Sequence, residues 1–90
     1  MLDERFTYEL EAFGKRVRSM RKSKGMSQLD LALAVSKDRS EISKIENGKL
    51  NIEFLTIVKI GLALDSELSD LFSQTRRPAL HYPKYPEHDK

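Results

Sequence analysis

Residues 27–47, with the sequence SQLDLALAVSKDRSEISKIEN, decide the fold of this 90-residue chain. They contain two short apolar patterns, each preceded by polar residues that can cap a helix. Ser27 begins the first pattern, and Asp30 stands three residues later, where its carboxylate completes a capping box. Asp38 and Glu41 predict a second capping box in the same way. Because only two residues separate the patterns, we predict two short helices joined by a tight turn.

A basic helix is predicted directly before this segment. Phe13, Val17 and Met20 recur at four- and three-residue intervals, which is typical of one apolar helical face. Gly25 can end this helix, because glycine adopts the left-handed conformation at little cost. Near its end the helix carries six cations and no acid, namely Lys15, Arg16, Arg18, Arg21, Lys22 and Lys24. This run is compatible with a solvated helix surface, and also with the concentrated positive potential that phosphate binding requires.

Two further helices are predicted after residue 47. Asn51 can cap the fourth helix, which carries the broad apolar stripe of a helix buried on most sides. Gly61 within it costs about 1 kcal/mol relative to alanine, so we expect a neighbouring helix to approach closely there. A short fifth helix follows over residues 66–72. Ile42 and Ile45 are predicted to face the core from the third helix. The predicted fold class is therefore all-α, with five helices.

The composition changes after the fifth helix. Three prolines exclude a regular helix from residues 73–90. We therefore predict a helical domain over residues 1–72, with an N-terminal extension over 1–10, followed by an extended Pro-rich C-terminal tail. The tail is interpreted either as a solvated linker or as a binding segment for a protein partner. His81 and His88 lie in it without further ligands nearby, so no metal is expected.

Composition also bears on the class of function. The chain has no cysteine, which excludes disulfides, thiolate catalysis and cysteine zinc sites. The first residues lack the apolar run of a signal peptide, and no apolar stretch is long enough for a bilayer, so we predict a cytoplasmic protein. No nucleophile–base pair, metal cluster or glycine-rich phosphate loop stands out. Neither enzymatic activity nor a cofactor is therefore expected.

Three motifs together resemble the lambda-repressor-like (Cro/repressor, xenobiotic-response-element type) helix-turn-helix family. They are RKSKGMSQ at residues 21–28, the pair Leu31-Ala32, and ISKIENGK at residues 42–49. The resemblance covers about residues 13–72 and implies a five-helix lambda-repressor-like DNA-binding domain, whose third helix lies in the major groove. The chain departs from the family pattern at the turn, where Ser36 replaces the usual glycine and Lys37 replaces a small hydrophobic residue.

The resemblance also implies which residues contact double-stranded DNA. The base-reading residues that it implies are Arg39, Ser40 and Lys44, with Ser43 as a secondary contact. The phosphate contacts that it implies are Gln28, Asn47, Lys49, Arg21 and Lys37. Arg21 and Glu46 match an arginine–glutamate ion pair that ties the first helix to the end of the third. Glu41 is interpreted either as a helix cap or as a reader of cytosine.

These observations predict a sequence-specific transcriptional regulator, with a repressor that binds a palindromic operator as a homodimer as the main hypothesis. Its half-sites would lie about 34 Å apart, one turn of DNA. The predicted dimer interface consists of Leu68, Leu71 and Phe72. One alternative is an antitoxin, which binds DNA and clamps a toxin protein with its tail. Another is a helical protein-interaction module that does not bind DNA.

An apolar pair on the second helix requires its own hypothesis. Leu29 and Leu33 are four residues apart and so share one side of that helix, where members of the family commonly carry polar residues. An uncovered apolar pair favours unwanted association, so we hypothesise that another segment covers it. The candidates are Leu2 and Phe6 in the N-terminal extension and Leu80 and Tyr82 in the tail.

Overall fold

A computed structural model describes residues 4–72. The helices in this range are α1 (Glu4–Ser23), α2 (Gln28–Ala34), α3 (Arg39–Glu46), α4 (Phe54–Ala63) and α5 (Leu68–Phe72). No strand occurs within it, so the prediction of an all-α fold with five helices is confirmed. Over the same range, no helix combines the length and the apolarity that crossing a bilayer requires. The predictions for Leu2, for the tail and for the domain boundary before the tail lie outside the described residues.

The helix starts contain one of the two predicted capping boxes. At α2, the Asp30 backbone N–H donates to the Ser27 hydroxyl at 3.0 Å, and the Ser27 N–H donates to the Asp30 carboxylate at 2.8 Å. Asp38 is the N-cap residue of α3, but its side chain makes no capping hydrogen bond. The Glu41 carboxylate instead lies 3.7 Å from Nζ of Lys37. The predicted second capping box is therefore wrong, because the Glu41 carboxylate that it requires is paired with Lys37 instead.

Helices α4 and α5 both begin two residues later than predicted. The N-cap residue of α4 is Glu53, which makes no side-chain capping hydrogen bond. Asn51 lies in the connection before it, and the next residue, Ile52, packs against the core. The predicted Asn51 cap is wrong because burial of Ile52, rather than a capping bond, holds this connection. α5 begins at Leu68.

The turn between α2 and α3 depends on a left-handed residue. Ser36 has a φ of 59°, and the N–H of Lys37 donates to the Ala32 carbonyl at 2.9 Å. This geometry closes α2 in the way for which glycine is usual. A left-handed conformation costs a non-glycine residue roughly 1–2 kcal/mol. The packing of α2 against α3 must therefore hold the turn against its own strain.

Side chains from all five helices meet in one core. Its buried hydrophobic members in the described range are Phe13, Val17, Leu31, Ala32, Val35, Ile42, Ile45, Ile60, Leu64 and Leu71. Ile42 and Ile45 are fully buried, which confirms the predicted inward face of α3. Leu71 is only 1% exposed, so its prediction as a dimer-interface residue is wrong: α5 inserts it into the core of its own chain. Phe72 stacks on Phe13, with ring centroids 5.2 Å apart.

Helix α1 crosses α3 in direct backbone contact. A Cβ atom built at Gly14 would lie 2.3 Å from the Ile45 carbonyl oxygen and 2.6 Å from that of Glu46. Just beyond α3, a Cβ atom at Gly48 would lie 2.8 Å from Cα of Glu11. Real side chains cannot occupy such distances without moving a helix. Glycine at these two positions therefore lets α1 hold the C-terminal end of α3 at close range.

Helix α4 carries a broad apolar stripe, of which the described chain buries only one side. Ile60 and Leu64 are fully buried, and a Cβ atom at Gly61 would meet Leu68 of α5 at 3.5 Å. The other side exposes Phe54 (68%), Leu55 (62%) and Leu62 (76%). The predicted close approach of a neighbouring helix at Gly61 is wrong, because a Cβ atom there would make only ordinary van der Waals contacts. The prediction that α4 is buried on most sides is wrong within residues 4–72, since these three large apolar side chains face solvent there.

The apolar pair on α2 is exposed, at 51% for Leu29 and 70% for Leu33. Phe6 does not cover it. This side chain instead lines a groove of about 410 Å³ together with Phe13, Ile52, Ile57 and Phe72, among other residues. The hypothesis that the N-terminal extension covers the pair through Phe6 is therefore wrong, because α1 directs that residue towards α4 and α5.

Candidate nucleic-acid interface

Helix α3 presents one side to the core and the other to solvent. Its buried residues are Ile42, Ile45 and Glu46. Its exposed residues include Arg39, Ser40 and Lys44, and Ser43 lies half-buried at the boundary. Core contacts that recur every three or four residues produce this division. The predicted base-reading residues thus share the solvent side of one short helix, which is the arrangement that insertion into a groove requires.

The side chain of Arg39 is held by the helix before it. Its Nη1 donates to Oε1 of Gln28 at 3.1 Å. Gln28 is the first residue of α2 and Arg39 the first of α3, so this bond joins the two helix starts across the turn. Gln28 is predicted from the sequence as a phosphate contact, whereas its bond to Arg39 is not. No pattern in the sequence signals it, because the contact depends on the angle between the two helices.

Arg21 and Glu46 form a buried, bidentate ion pair between α1 and α3. Nε of Arg21 donates to Oε2 of Glu46 at 2.6 Å, and Nη2 donates to Oε1 at 3.0 Å. Its Nη1 donates to the Met26 carbonyl at 2.7 Å. The hydrogen bonds to Glu46 raise the pKa of Arg21, so the guanidinium stays charged. With 7% of its side chain exposed, Arg21 lies mainly in the protein interior, where its bonds use three of the five guanidinium N–H donors; its phosphate contact stays a prediction.

The start of α2 is held by its capping box. The hydrogen bond from the Ser27 backbone N–H, with a smaller contribution from its hydroxyl, lowers the pKa of Asp30. Asp30 therefore remains a carboxylate well below neutral pH and places a negative charge beside the positive end of the helix dipole. This local order fixes the position of Gln28, which immediately follows Ser27 in the chain.

The remaining predicted phosphate contacts lie near the two ends of α3. Asn47 follows the helix directly, is exposed, and donates through Nδ2 to the Ser43 carbonyl at 2.9 Å. Lys49 is exposed two residues later. Lys37 lies before the helix and is half-buried beside Glu41. The structure thus brings a polar or cationic side chain to each end of the base-reading row.

The basic run of α1 is divided between two surfaces. Lys15 and Arg18 line a polar groove of about 270 Å³ that Asn47 also lines, so this part of the run adjoins the C-terminal end of α3. Arg16 points elsewhere, since its Nε donates to the Asp70 carbonyl of α5 at 3.0 Å. Some of the basic run therefore lies beside the C-terminal end of α3, in a groove that Glu11 and Glu46 also line, and some of it ties helices together.

Known proteins are similar in sequence to the part of the chain that contains this surface. Residues 17–71 match the helix-turn-helix family HTH_3. The chain is 38% identical over 66 residues to the control protein C.MunI of a Mycoplasma species, which covers 72% of this chain and 89% of that protein. It is 42% identical over 64 residues to the control protein C.BamHI of Bacillus amyloliquefaciens, and this alignment covers 70% of this chain and 79% of that protein.

A solved structure agrees with these sequence relatives. The restriction-modification controller protein C.AhdI from Aeromonas hydrophila superposes with a TM-score of 0.70 at 40% identity, covering 72% of this chain and 98% of that one. The family match contains both helices of the turn, the Arg21–Glu46 pair and the exposed side of α3. The chain therefore belongs to the HTH_3 helix-turn-helix family of DNA-binding regulators.

Proposed function

We propose that this protein regulates transcription by reading double-stranded DNA in the major groove with α3. The observation that carries the proposal is the exposed row of Arg39, Ser40 and Lys44 on one side of that helix. The major groove is about 12 Å wide and accepts a helix. Arg39 stands in the first turn, the part of a recognition helix that approaches bases, and a guanidinium suits N7 and O6 of guanine. Ser43, at the edge of the row, serves as a secondary contact.

Phosphate contacts on either side of this row position the helix. Gln28 and Lys37 serve this purpose near its start, and Asn47 and Lys49 near its end. Lys15 and Arg18 add two cations beside Asn47. Each phosphate that a cation neutralises releases counterions, so affinity falls steeply with salt concentration.

The protein binds DNA as a homodimer, and its exposed α4 side forms the interface. This surface, the α4 stripe, consists of Phe54, Leu55, Val58 and Leu62, of which Val58 is half-buried. A helix with so broad an apolar stripe belongs mostly in an interior, and a second chain supplies the cover that the described part of one chain does not. A two-fold interface places the same stripe on both partners. Leu68 and Phe72 were also predicted from the sequence to lie in the dimer interface, and both remain accessible. They flank this contact.

A two-fold dimer sets the form of the operator. Its two α3 helices enter successive major grooves on one face of the DNA, so the half-sites form a near-palindrome with centres about 34 Å apart. The similarity to two control proteins favours a role in gene regulation. We therefore assign the protein to the control of restriction–modification genes in the cytoplasm, with repression by occlusion of polymerase as its simplest mode.

Selection of bound sites from random duplex DNA tests the reading of bases. A near-palindromic consensus is expected. Arg39→Ala and Lys44→Ala should each cost roughly 1–3 kcal/mol and relax preference at particular base pairs, whereas Lys49→Ala should weaken all sequences alike. Equal losses on selected and random duplexes for the first two variants would show that neither residue reads bases.

Analytical ultracentrifugation tests the dimer. Leu62→Lys places a charge in the α4 stripe and should convert the dimer to a monomer. Leu33→Lys is the matched control, because Leu33 is similarly exposed, at 70% against 76%, but lies on α2. The proposed interface is wrong if both variants sediment like the unmodified chain.

The antitoxin alternative shares the DNA-binding surface and differs in its protein partner. Expression of the protein from its own gene neighbourhood, followed by affinity purification, distinguishes the two. Stoichiometric recovery of a toxin encoded beside it would favour the antitoxin. Absence of any mobility shift with its own promoter region would favour a protein-interaction module instead.

A further inference from the structure

Four side chains connect the core of the protein to the first residue of α3. Glu46 accepts hydrogen bonds from Arg21 and, at Oε1, from Nε2 of Gln28 at 3.1 Å. Oε1 of Gln28 in turn accepts from Nη1 of Arg39 at 3.1 Å. The series runs from a buried carboxylate, which is 1% exposed, through a half-buried amide to an exposed guanidinium.

The direction of these bonds matters because an amide side chain has two different ends. A carboxylate only accepts hydrogen bonds and a guanidinium only donates them. Glu46 therefore attracts the NH₂ end of Gln28, which leaves its oxygen facing Arg39. The reversed amide would set oxygen against the Glu46 carboxylate and N–H against the Arg39 guanidinium, so both contacts would be repulsive.

We propose that Glu46 is a positioning residue for base recognition, which acts by setting the orientation of the Gln28 amide and so holding Arg39 in place. This inference rests on the proposed reading of bases by Arg39. A free arginine side chain must be ordered when it binds, which lowers affinity by about two- to tenfold for a side chain of this length. The bond from Gln28 removes part of that cost before DNA arrives. The second N–H of the Gln28 amide remains available for a phosphate, so one amide can serve both the backbone and the reading residue.

The test compares base preference, at the pair that Arg39 reads, among variants of the full chain. Arg39→Ala identifies that pair as the one where preference falls by about tenfold or more. Methionine has a side chain of similar length to glutamine, but it cannot make the hydrogen bonds of the amide. Gln28→Met should therefore lower preference at the same pair by about two- to tenfold. In the double variant, Gln28→Met should add nothing further at that pair.

Glu46 is tested against a control in the same ion pair. Glu46→Gln removes the constraint on the Gln28 amide and should relax preference at the Arg39 pair. Arg21→Lys disturbs the same ion pair but leaves the carboxylate for Gln28, so it should lower thermal stability and leave that preference unchanged. A purely structural role for Glu46 predicts the same relative preferences for both variants.

The possible outcomes distinguish a failure of this inference from a failure of the proposed base reading by Arg39. If Arg39→Ala relaxes no base pair, the proposed base contact of Arg39 fails. If it does, but Gln28→Met weakens every sequence equally, then Gln28 serves only a phosphate and the positioning role is overturned. Should Glu46→Gln fail to fold, as judged by circular dichroism, Gln28→Met and the double variant still test the bond through which Glu46 must act, and no loss of preference at the Arg39 pair would overturn the role of Glu46 as well.

Discussion

Gly14 should be the least replaceable small residue in the helical part of the chain. Helix propensity alone predicts that Gly14→Ala stabilises α1 by roughly 1 kcal/mol, since glycine is unfavourable in a helix interior. The structure predicts the opposite sign. The added Cβ would lie 2.3 Å from a backbone oxygen of α3, whereas ordinary contacts begin at 3.4 Å. The two helices must therefore separate by about 1 Å, because backbone atoms cannot rotate away as a side chain can.

The net cost follows from these opposing terms. Forcing one extra carbon into a packed contact costs about 1–3 kcal/mol. The contact at Gly14 is with rigid backbone, so the upper part of that range applies. After the gain in propensity, Gly14→Ala should lower the free energy of unfolding by about 1–2 kcal/mol. A domain of this size loses roughly 4–8 °C in Tm for each kcal/mol. The shifted atoms belong to Ile45 and Glu46, so specific DNA binding should weaken as well.

Gly61→Ala is the matched control for this prediction. Gly61 also lies inside a helix, but its added Cβ would be 3.4 Å from the Ser66 carbonyl oxygen and 3.5 Å from the end of Leu68. Propensity should therefore dominate, and this variant should be as stable as the unmodified chain or more stable. Thermal and urea unfolding followed by circular dichroism measure both variants. If Gly14→Ala is stabilised to the same extent as Gly61→Ala, the argument from the α1–α3 crossing is refuted.

Four further substitutions test the turns and the α2 cap. Ser36→Gly removes left-handed strain from a serine, and we expect urea unfolding to show a gain of roughly 0.5–1 kcal/mol after the added chain entropy is subtracted; a lower unfolding midpoint would contradict this. Gly25→Ala and Gly48→Ala both place alanine at positive φ, but only the second meets Glu11, so it should cost about 1–3 kcal/mol more. Equal Tm losses would show that the Glu11 contact is unimportant. Asp30→Asn removes the α2 cap charge. Since folding lowers the pKa of Asp30, its stabilisation is present above the ordinary value of 3.8 and is lost as pH falls below it. The stability difference between the two proteins should therefore shrink in acid, and a difference that is constant between about pH 7 and pH 3 counts against the cap.

Local pattern was sufficient for the helices and insufficient for several of their caps. The first capping box was predicted correctly because Ser27 and Asp30 bond within one turn of the chain. Asp38 is the N-cap residue of α3 as predicted but makes no capping bond, and the carboxylate of Glu41 lies beside Lys37. Asn51 was predicted as the cap of α4 and is not, and the half-buried Ile52 packs against the core there. Both failures come from interactions that a capping motif does not contain.

The candidate site divides in the same way. The exposed row of Arg39, Ser40 and Lys44 follows from helical periodicity, because burial of the isoleucines turns the other residues outward. The burial of Leu71 does not follow from it. A five-residue helix carries too little periodicity to show which of its apolar residues faces the core, so the inserted residue could not be distinguished from its neighbours.

By itself, the sequence determined the all-helical class, the turn between α2 and α3, the inward residues of α3 and the family. These properties depend on residues close together in the chain, where spacing alone decides which side chains share a face. Only the tertiary structure decided that Gly14 lies against α3, that Glu46 reaches Gln28, and that residues 4–72 leave one side of α4 exposed. Each of these depends on the angle and distance between helices, which the packing of the whole core sets and no local pattern encodes.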